Sequence, residues 1–215
     1  MSTATSRRPR GRWIAVASVV VLLAGVALDT EYRSADASAK AAQAQAFDPA
    51  RFGAENYQSK VVPAIRAEAV ELRVLLAALA ADKEAAGAKY GHRQGTGPYS
   101  FAVKGEGVAG ERNGSLLSVT VTGVSADTRV SLQVGPAING TALRDAVGFI
   151  SFGQFLNQVE YADAATALNN ELRTTVLAGL RPAELSGRKV AFTGAFTFLT
   201  AGAVTITPVD LRETS

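Results

Sequence analysis

Residues 99–134 read YSFAVKGEGVAGERNGSLLSVTVTGVSADTRVSLQV, and this stretch decides the fold. Apolar and polar side chains alternate in three runs, about 99–108, 116–124 and 129–134, as they do in strands with one buried face. Asn113-Gly114, a dipeptide typical of tight hairpin turns, separates the first two runs. A second turn begins at Asp127 and precedes the third run. The stretch therefore predicts a three-stranded meander.

Downstream of this meander, the sequence predicts two helices and then two strands. A short helix begins near Asn139 or Thr141, and a longer one covers Tyr161 to Ala178. The fourth strand has an apolar face that Gly194 interrupts, which predicts a bulge or a barrel corner there. The fifth holds Val204 and Ile206, with Pro208 near its end. Three strands, a helical insert and two strands follow the order of a five-stranded Greek-key barrel of the oligonucleotide/oligosaccharide-binding (OB) type.

Upstream of the meander, residues 47–90 have the periodicity of helices. Apolar residues recur at helical spacing and predict one face packed against the domain body, namely Ile65, Ala69, Leu72, Leu76 and Leu79. A coiled-coil or partner-binding helix is the alternative for this face. The predicted fold class is α+β, mainly β, with the helical part 47–90 followed by the OB-like β domain 98–212. An α+β sandwich with its helices on one face is the alternative.

The first 28 residues have the layout of an export signal. Arg7, Arg8, Arg10 and Arg12 precede an uncharged apolar run, Trp13–Leu28, and acidic residues follow it. We predict a single-pass signal anchor at 1–28 with its N-terminus in the cytoplasm, and a polar, alanine-rich linker at 29–46. Residues 47–215 then form an extracytoplasmic domain. A cleaved signal is the alternative, and Ala37-Ser38-Ala39 would supply its small residues.

Composition excludes several classes of function. The formal net charge is +3, but the four arginines of residues 1–28 account for more than this excess, so the remainder carries a formal charge of −1. A nearly neutral exported domain does not predict nucleic acid as a partner. The chain has no cysteine and one histidine, His92, which leaves little material for a zinc site or a Ser-His-Asp triad. We expect no metal, no cofactor and no enzymatic activity.

Polar residues are densest between the third and fourth predicted strands. The candidate ligand-binding residues there are Asn139, Arg144, Asp145, Gln154, Asn157, Gln158 and Glu160, interleaved with the aromatic residues Phe149, Phe152, Phe155 and Tyr161. Amides, carboxylates and arginine beside flat rings are typical of sites that hold sugars or other polar molecules. Alternatively, the rings are core and the polar groups cap helices and turns. Glu160 and Asp163 are the candidates for a hydrolase, which would need carboxylates facing each other across a cleft.

The same region carries a family resemblance. The segments that carry it are VGPAINGT (134–141), LRD (143–145), FISF (149–152), FLNQVEY (155–161), SGRKV (186–190) and ITPV (206–209). Over about residues 47–215 the chain resembles a bacterial family of predicted periplasmic lipoproteins, known as domain of unknown function 2291. The resemblance implies an exported protein without established activity, encoded near sugar ATP-binding-cassette (ABC) importers.

The N-terminal segment makes the membrane one partner. The resemblance implies the others, which for sugar import are an ABC transporter component or its solute-binding protein. We therefore expect an accessory role in sugar import. The alternatives are a sugar- or glycan-binding module and an envelope hydrolase. A lipoprotein anchor needs an N-terminal cysteine, which this chain lacks, so the apolar run itself would have to be the anchor.

Overall fold

The computed structural model describes residues 47–214, and its centre is a closed barrel. The strands are β1 (Val70–Glu71), β2 (Gly91–His92), β3 (Ser100–Asn113), β4 (Leu116–Val121), β5 (Arg129–Gln133), β6 (Lys189–Thr197) and β7 (Ala203–Glu213). Around the barrel the order is β3–β4–β5–β7–β6, and β6 pairs again with β3. Strands β5 and β7 are parallel, whereas the other barrel pairs are antiparallel. The five predicted barrel strands are therefore present in the predicted order along the chain.

Two strands extend further than the sequence predicted. Strand β3 continues to Asn113, at the hairpin turn, and β7 continues past Pro208 to Glu213. Proline can remain in β7 because it pairs with Gly194 where the register between β6 and β7 shifts, and such bulges tolerate a missing N–H. A Cβ atom on Gly194 would collide with the Thr207 carbonyl oxygen. The predicted bulge at Gly194 is confirmed.

The N-terminal part is helical but not continuous. It contains α1 (Pro49–Asn56), a π-helical turn (Tyr57–Val61), α2 (Val62–Glu68), α3 (Leu72–Ala81) and α4 (Lys83–Tyr90). The prediction of one apolar helical face from Ile65 to Leu79 is wrong, because the chain leaves the helix at Ala69. There β1 pairs in parallel with Val103 and Lys104 of β3. A non-local strand pairing overrides the local helical periodicity.

The insert between β5 and β6 is helical, as predicted. It holds α5 (Ala142–Asp145), a short 3₁₀ turn (Phe152–Gln154), α6 (Gln158–Leu172), a π-helical turn (Arg173–Leu177) and a second 3₁₀ turn (Pro182–Leu185). Over residues 47–214, more residues lie in helices than in strands. The expectation of a mainly-β domain is therefore not confirmed, and the domain is a mixed one.

Two hydrophobic cores hold these elements together. The first fills the barrel, where Leu117, Leu132 and Ile206 are fully buried, and α3 adds Leu72 and Leu75 to it. The second lies between the outer barrel surface and the helices. It joins Ala102, Ala195 and Val209 to large side chains of the helices, among them Tyr57, Ile65, Leu143 and Leu168. Part of the outer face of β3 and β6 is thus covered, whereas Lys104 and Glu106 on the same face of β3 remain exposed.

Candidate functional site

Arg144 is the central residue of the segment 139–163, which we call the polar segment. Its side chain is buried, and its guanidinium lies 3.4 Å from the centroid of the Tyr161 ring. Arg144 Nε donates to Asp145 Oδ1 at 2.8 Å, and Nη1 donates to the Tyr161 carbonyl oxygen at 2.7 Å. All three contacts are internal. Arg144 therefore joins α5 to α6.

Asp145 and Tyr161 complete this buried polar group. The carboxylate of Asp145 accepts hydrogen bonds from the Thr141 hydroxyl at 2.6 Å and from the Tyr161 hydroxyl at 3.3 Å. Burial raises the pKa of Tyr161; the Asp145 carboxylate adds to this rise, whereas Arg144 opposes it. Tyr161 thus remains a protonated donor well above neutral pH. The polar atoms of this group thus form their hydrogen bonds with one another.

Three further candidates fix the ends of helices and turns. The Asn157 side chain accepts the Glu160 N–H at 2.9 Å, and the Glu160 carboxylate accepts the Leu156 N–H at 2.9 Å. This is the capping of a helix start, here that of α6. Gln154 accepts the Ser151 N–H and donates to the Phe149 carbonyl oxygen. One carboxylate of the pair considered for hydrolysis, Glu160, therefore serves as a cap.

The last two candidates, Asn139 and Gln158, are exposed. Asn139 uses its backbone, which exchanges hydrogen bonds with the buried Gln133 side chain. Among residues 47–214, neither Asn139 nor Gln158 forms a side-chain hydrogen bond. Five of the seven candidates are thus engaged by their side chains in internal bonds, and the structure does not bring the seven together around one cavity. The ligand site at the polar segment remains a prediction.

The interleaved aromatic residues divide into two groups. Phe155 lies between the rings of Phe47, Phe52 and Tyr161, with centroid distances of 5.3, 5.7 and 5.3 Å. Phe149 and Phe152 are substantially exposed, as are Leu156 and Val159, although the Phe152 ring also contacts the Tyr161 ring at a centroid distance of 5.7 Å. We call Phe47, Phe149, Phe152, Leu156 and Val159 the apolar patch. Phe47 and Phe149 line a shallow depression of about 480 Å³ at its edge.

A second surface, which we call the charged cleft, lies on the barrel and has a volume of about 550 Å³. Its lining comes from the end of β1, the start of α3, the middle of β3, the end of β4 and the turn after it, β6 and Arg212 of β7. Its charged members are Glu71, Arg73, Lys104, Glu106 and Arg212. Strand register explains this assembly, because Glu106 pairs with Ala191, and Ala191 with Arg212. Residues far apart in sequence thereby share one face.

The charges of the cleft are only partly paired. Lys104 Nζ lies 4.0 Å from Glu71 Oε1, and Arg212 Nη1 lies 2.8 Å from Asp210 Oδ2. Within the part of the chain that the structure describes, Arg73 and Glu106 form no ion pair. Sequence reasoning missed this cleft. The alternation of Lys104 and Glu106 on β3 was a visible signal, but only the pairing of β3 with β6 shows what lies beside them.

The comparisons with known proteins identify a family. A family model described as predicted periplasmic lipoprotein, domain of unknown function 2291, matches residues 16–212. The chain belongs to this family. The family description agrees with the predicted export to the envelope. None of the curated proteins matches the sequence.

The fold also resembles a solved structure. An OB-fold protein from Thermotoga maritima superposes with a TM-score of 0.63 at 20% sequence identity, over 79% of this chain and 100% of that one. The OB-like fold is thereby confirmed. In OB folds the second and third barrel strands commonly form the binding face. Here these are β4 and β5, whose exposed face includes Ser118, Thr120 and Arg129 but no aromatic ring for base or sugar stacking.

Several predictions concern features outside these surfaces. Among the helices of residues 47–214, none is long and apolar enough to cross a membrane. The predicted anchor at 1–28 and linker at 29–46 lie outside the described residues. Over the described range, no group of three acidic or histidine side chains is placed to hold a metal ion. The absence of a cofactor and of enzymatic activity stays a prediction.

Proposed function

We propose that this family member is a non-enzymatic, extracytoplasmic binding module held at the membrane by residues 1–28, with its N-terminus in the cytoplasm. In this role it assists a sugar ABC importer by contacting the permease or the solute-binding protein. The observation that carries the proposal is the charged cleft. Arg73 and Glu106, which line this cleft, carry opposite charges and have no ion-pair partner within residues 47–214, so both remain available to a partner.

The chemistry of the cleft favours a protein partner. Charges of both signs are exposed around a floor of small residues that includes Gly105 and Ala191. Complementary charge on a partner would steer the encounter and fix its register. The one ring in the lining, Phe192, is only 2% exposed and belongs to the barrel core. A sugar would find no aromatic face to stack on in this cleft.

The proposed tether makes modest affinity sufficient. A domain attached to the membrane meets other membrane proteins at high effective concentration, so that a weak contact becomes productive. The link to sugar import rests on the family resemblance, which implies genes near sugar importers. The link to a protein partner rests on the charges of the cleft.

A sugar- or glycan-binding module is the second candidate function. One observation favours it: the exposed rings of Phe149 and Phe152 lie next to the polar residue Gln154. Rings beside amides are a common arrangement for holding sugars. In this alternative the ligand would bind at the edge of the polar segment rather than in the cleft.

Site-specific crosslinking of the full chain in its native membrane tests the first candidate. A photoreactive amino acid replaces Arg73 or Glu106 in the cleft, and Ser118 on β4 serves as an exposed control outside it. We expect a permease or solute-binding protein to be captured from the cleft positions and about tenfold less from Ser118. The substitution Arg73→Glu should reduce capture from position 106 about tenfold, because it places like charges against the partner.

The alternative outcomes are distinct. Equal capture from the cleft and from Ser118 contradicts the accessory role. If a sugar raises the melting temperature of the full chain, and Phe152→Ser abolishes that shift while the unliganded melting temperature stays unchanged, the second candidate is correct. Circular dichroism of each variant verifies that the fold is retained.

A further inference from the structure

We propose that the apolar patch is a docking surface for membrane lipid, so that the folded domain itself lies against the bilayer. This inference rests on the membrane tether proposed above and concerns a surface separate from the charged cleft. The patch is exposed to an unusual degree: Leu156 is 86% exposed and Val159 68%, while Phe149 and Phe152 are about 40% exposed.

The concentration of these side chains points to an interaction. In the described chain, the other exposed large apolar residues stand singly on different elements: Val74 on α3, Val108 on β3, Leu116 on β4 and Leu199 after β6. Only the stretch 149–159 collects four of them. Single exposed apolar side chains are ordinary, whereas several exposed on one short segment point to a site for a protein or a membrane.

The backbone holds the patch in place. The Glu160 carboxylate accepts the Leu156 N–H, and the Gln154 side chain bonds the backbone of the preceding turn at Ser151 and Phe149. Phe155 points inward to Phe47, Phe52 and Tyr161. Leu156, the next residue, is left pointing to solvent. The internal bonds of the polar segment therefore present Leu156 and Val159 from a fixed scaffold.

The position of the tether identifies lipid as the occupant. The chain enters the described domain at Phe47, whose ring contacts Phe52 and Phe155 at the edge of the patch. The sequence before it consists of the predicted anchor, which ends at Leu28, and the linker 29–46. Fully extended, that linker spans at most about 60 Å. The edge of the patch is therefore the point of the domain attached most directly to the membrane.

The chemistry of the patch also fits a bilayer. Phenylalanine, leucine and valine insert into the boundary between headgroups and acyl chains, and they need no shape-matched partner there. Lys60 lines the depression beside Phe47 and Phe149. Its exposed ammonium group donates to Asn56 Oδ1 at 3.0 Å and has further donors for anionic headgroups. Because the tether has already fixed the domain near the bilayer, a weak additional contact is enough to orient it.

Lipid-quenching fluorescence of the full chain tests the docking. The sequence has no cysteine, so Leu156→Cys provides a unique position for an environment-sensitive dye. The matched control is Leu199→Cys, which is 76% exposed and lies between β6 and β7. The protein is reconstituted in vesicles of phosphatidylcholine and phosphatidylglycerol, below one chain per vesicle. We expect a blue-shifted dye at position 156, with quenching by doxyl lipid at least threefold stronger than at position 199.

A second set of variants removes the apolar contacts. With the dye at position 156, Val159→Gln and Phe149→Gln should each weaken docking about tenfold, the loss expected when one large side chain is no longer buried. Leu199→Gln is the control and should leave quenching unchanged. All three positions are exposed, so the fold should tolerate these changes.

Each remaining outcome contradicts the proposal. Equal quenching at 156 and 199 overturns it. A blue shift that appears only at high chain density shows a second copy on the patch, and a blue shift without lipid quenching shows a protein segment there. Flotation of the vesicles reports the tether separately. A chain that floats but is not quenched contradicts the docking alone, whereas a chain that does not float contradicts the anchor and, with it, the docking that rests on it.

Discussion

The polar segment and the charged cleft are both rich in charged side chains, but they use them in opposite ways. In the polar segment, Arg144 and Asp145 bind Tyr161 and each other, and Asn157 caps α6. In the cleft, Arg73 and Glu106 have no ion-pair partner within residues 47–214. The segment is dense in sequence because helix starts and turns need polar groups nearby. The residues of the cleft are far apart in sequence because the pairing of distant strands brings them together.

The largest effect that separates the two regions should come from Arg144→Leu. It removes a buried cation, so that the Asp145 carboxylate loses its counter-charge and the Tyr161 carbonyl oxygen loses its donor. We expect the free energy of unfolding to fall by about 3 kcal/mol or more, as for other broken buried ion pairs. Urea denaturation of the full chain measures it.

Two variants serve as controls for this prediction. Arg144→Lys keeps the charge but loses the planar contact with the Tyr161 ring, so it should be less destabilising than Arg144→Leu. Arg73→Leu, at the exposed start of α3, should change stability by less than about 0.5 kcal/mol. If Arg144→Leu keeps its stability and loses only a ligand-induced shift, Arg144 belongs to a binding site and our structural assignment of it is wrong.

A smaller effect should separate two neighbours that were both candidate ligand residues. Asn157→Ala removes the side-chain cap of α6 and should cost about 1 kcal/mol. Gln158→Ala should leave the free energy of unfolding unchanged, because Gln158 is exposed and its side chain forms no hydrogen bond within the described residues. Chemical denaturation of both variants side by side measures the difference. Equal values for the two would mean that the Asn157 cap contributes nothing.

The barrel could be predicted from the sequence because its strands alternate with a period of two, and because the turn Asn113-Gly114 and the glycine at 194 carry their own signals. The break between α2 and α3 could not. Ala69 and Glu71 suit a helix locally, but β1 gains a partner in β3. Such a pairing depends on where β3 lies in space, which no local pattern reveals.

The sites were harder to predict than the fold. The sequence pointed to the polar residues around α6, but it could not show that these residues form hydrogen bonds with one another. Interleaved rings suggested one stacking surface, but Phe155 is packed between other rings, and of the three phenylalanines only Phe149 and Phe152 are exposed. The cleft requires the register of β3, β6 and β7, which follows from barrel closure. Polar groups that lie close together in sequence can therefore be recognised from the sequence. A site assembled from residues far apart in sequence cannot, because it depends on how the strands pair.

The smallest effect on stability should come from the cleft, at Lys104→Ala. Lys104 and Glu71 lie 4.0 Å apart and are both about half exposed, so water screens their attraction. We expect a change in the unfolding free energy below about 0.5 kcal/mol, and a double-mutant cycle with Glu71→Ala should give a coupling no larger. The same variant should weaken partner capture from position 73, because its charge is then missing from the interface. A coupling above about 2 kcal/mol would show that the cleft, like the polar segment, uses its charges for the fold.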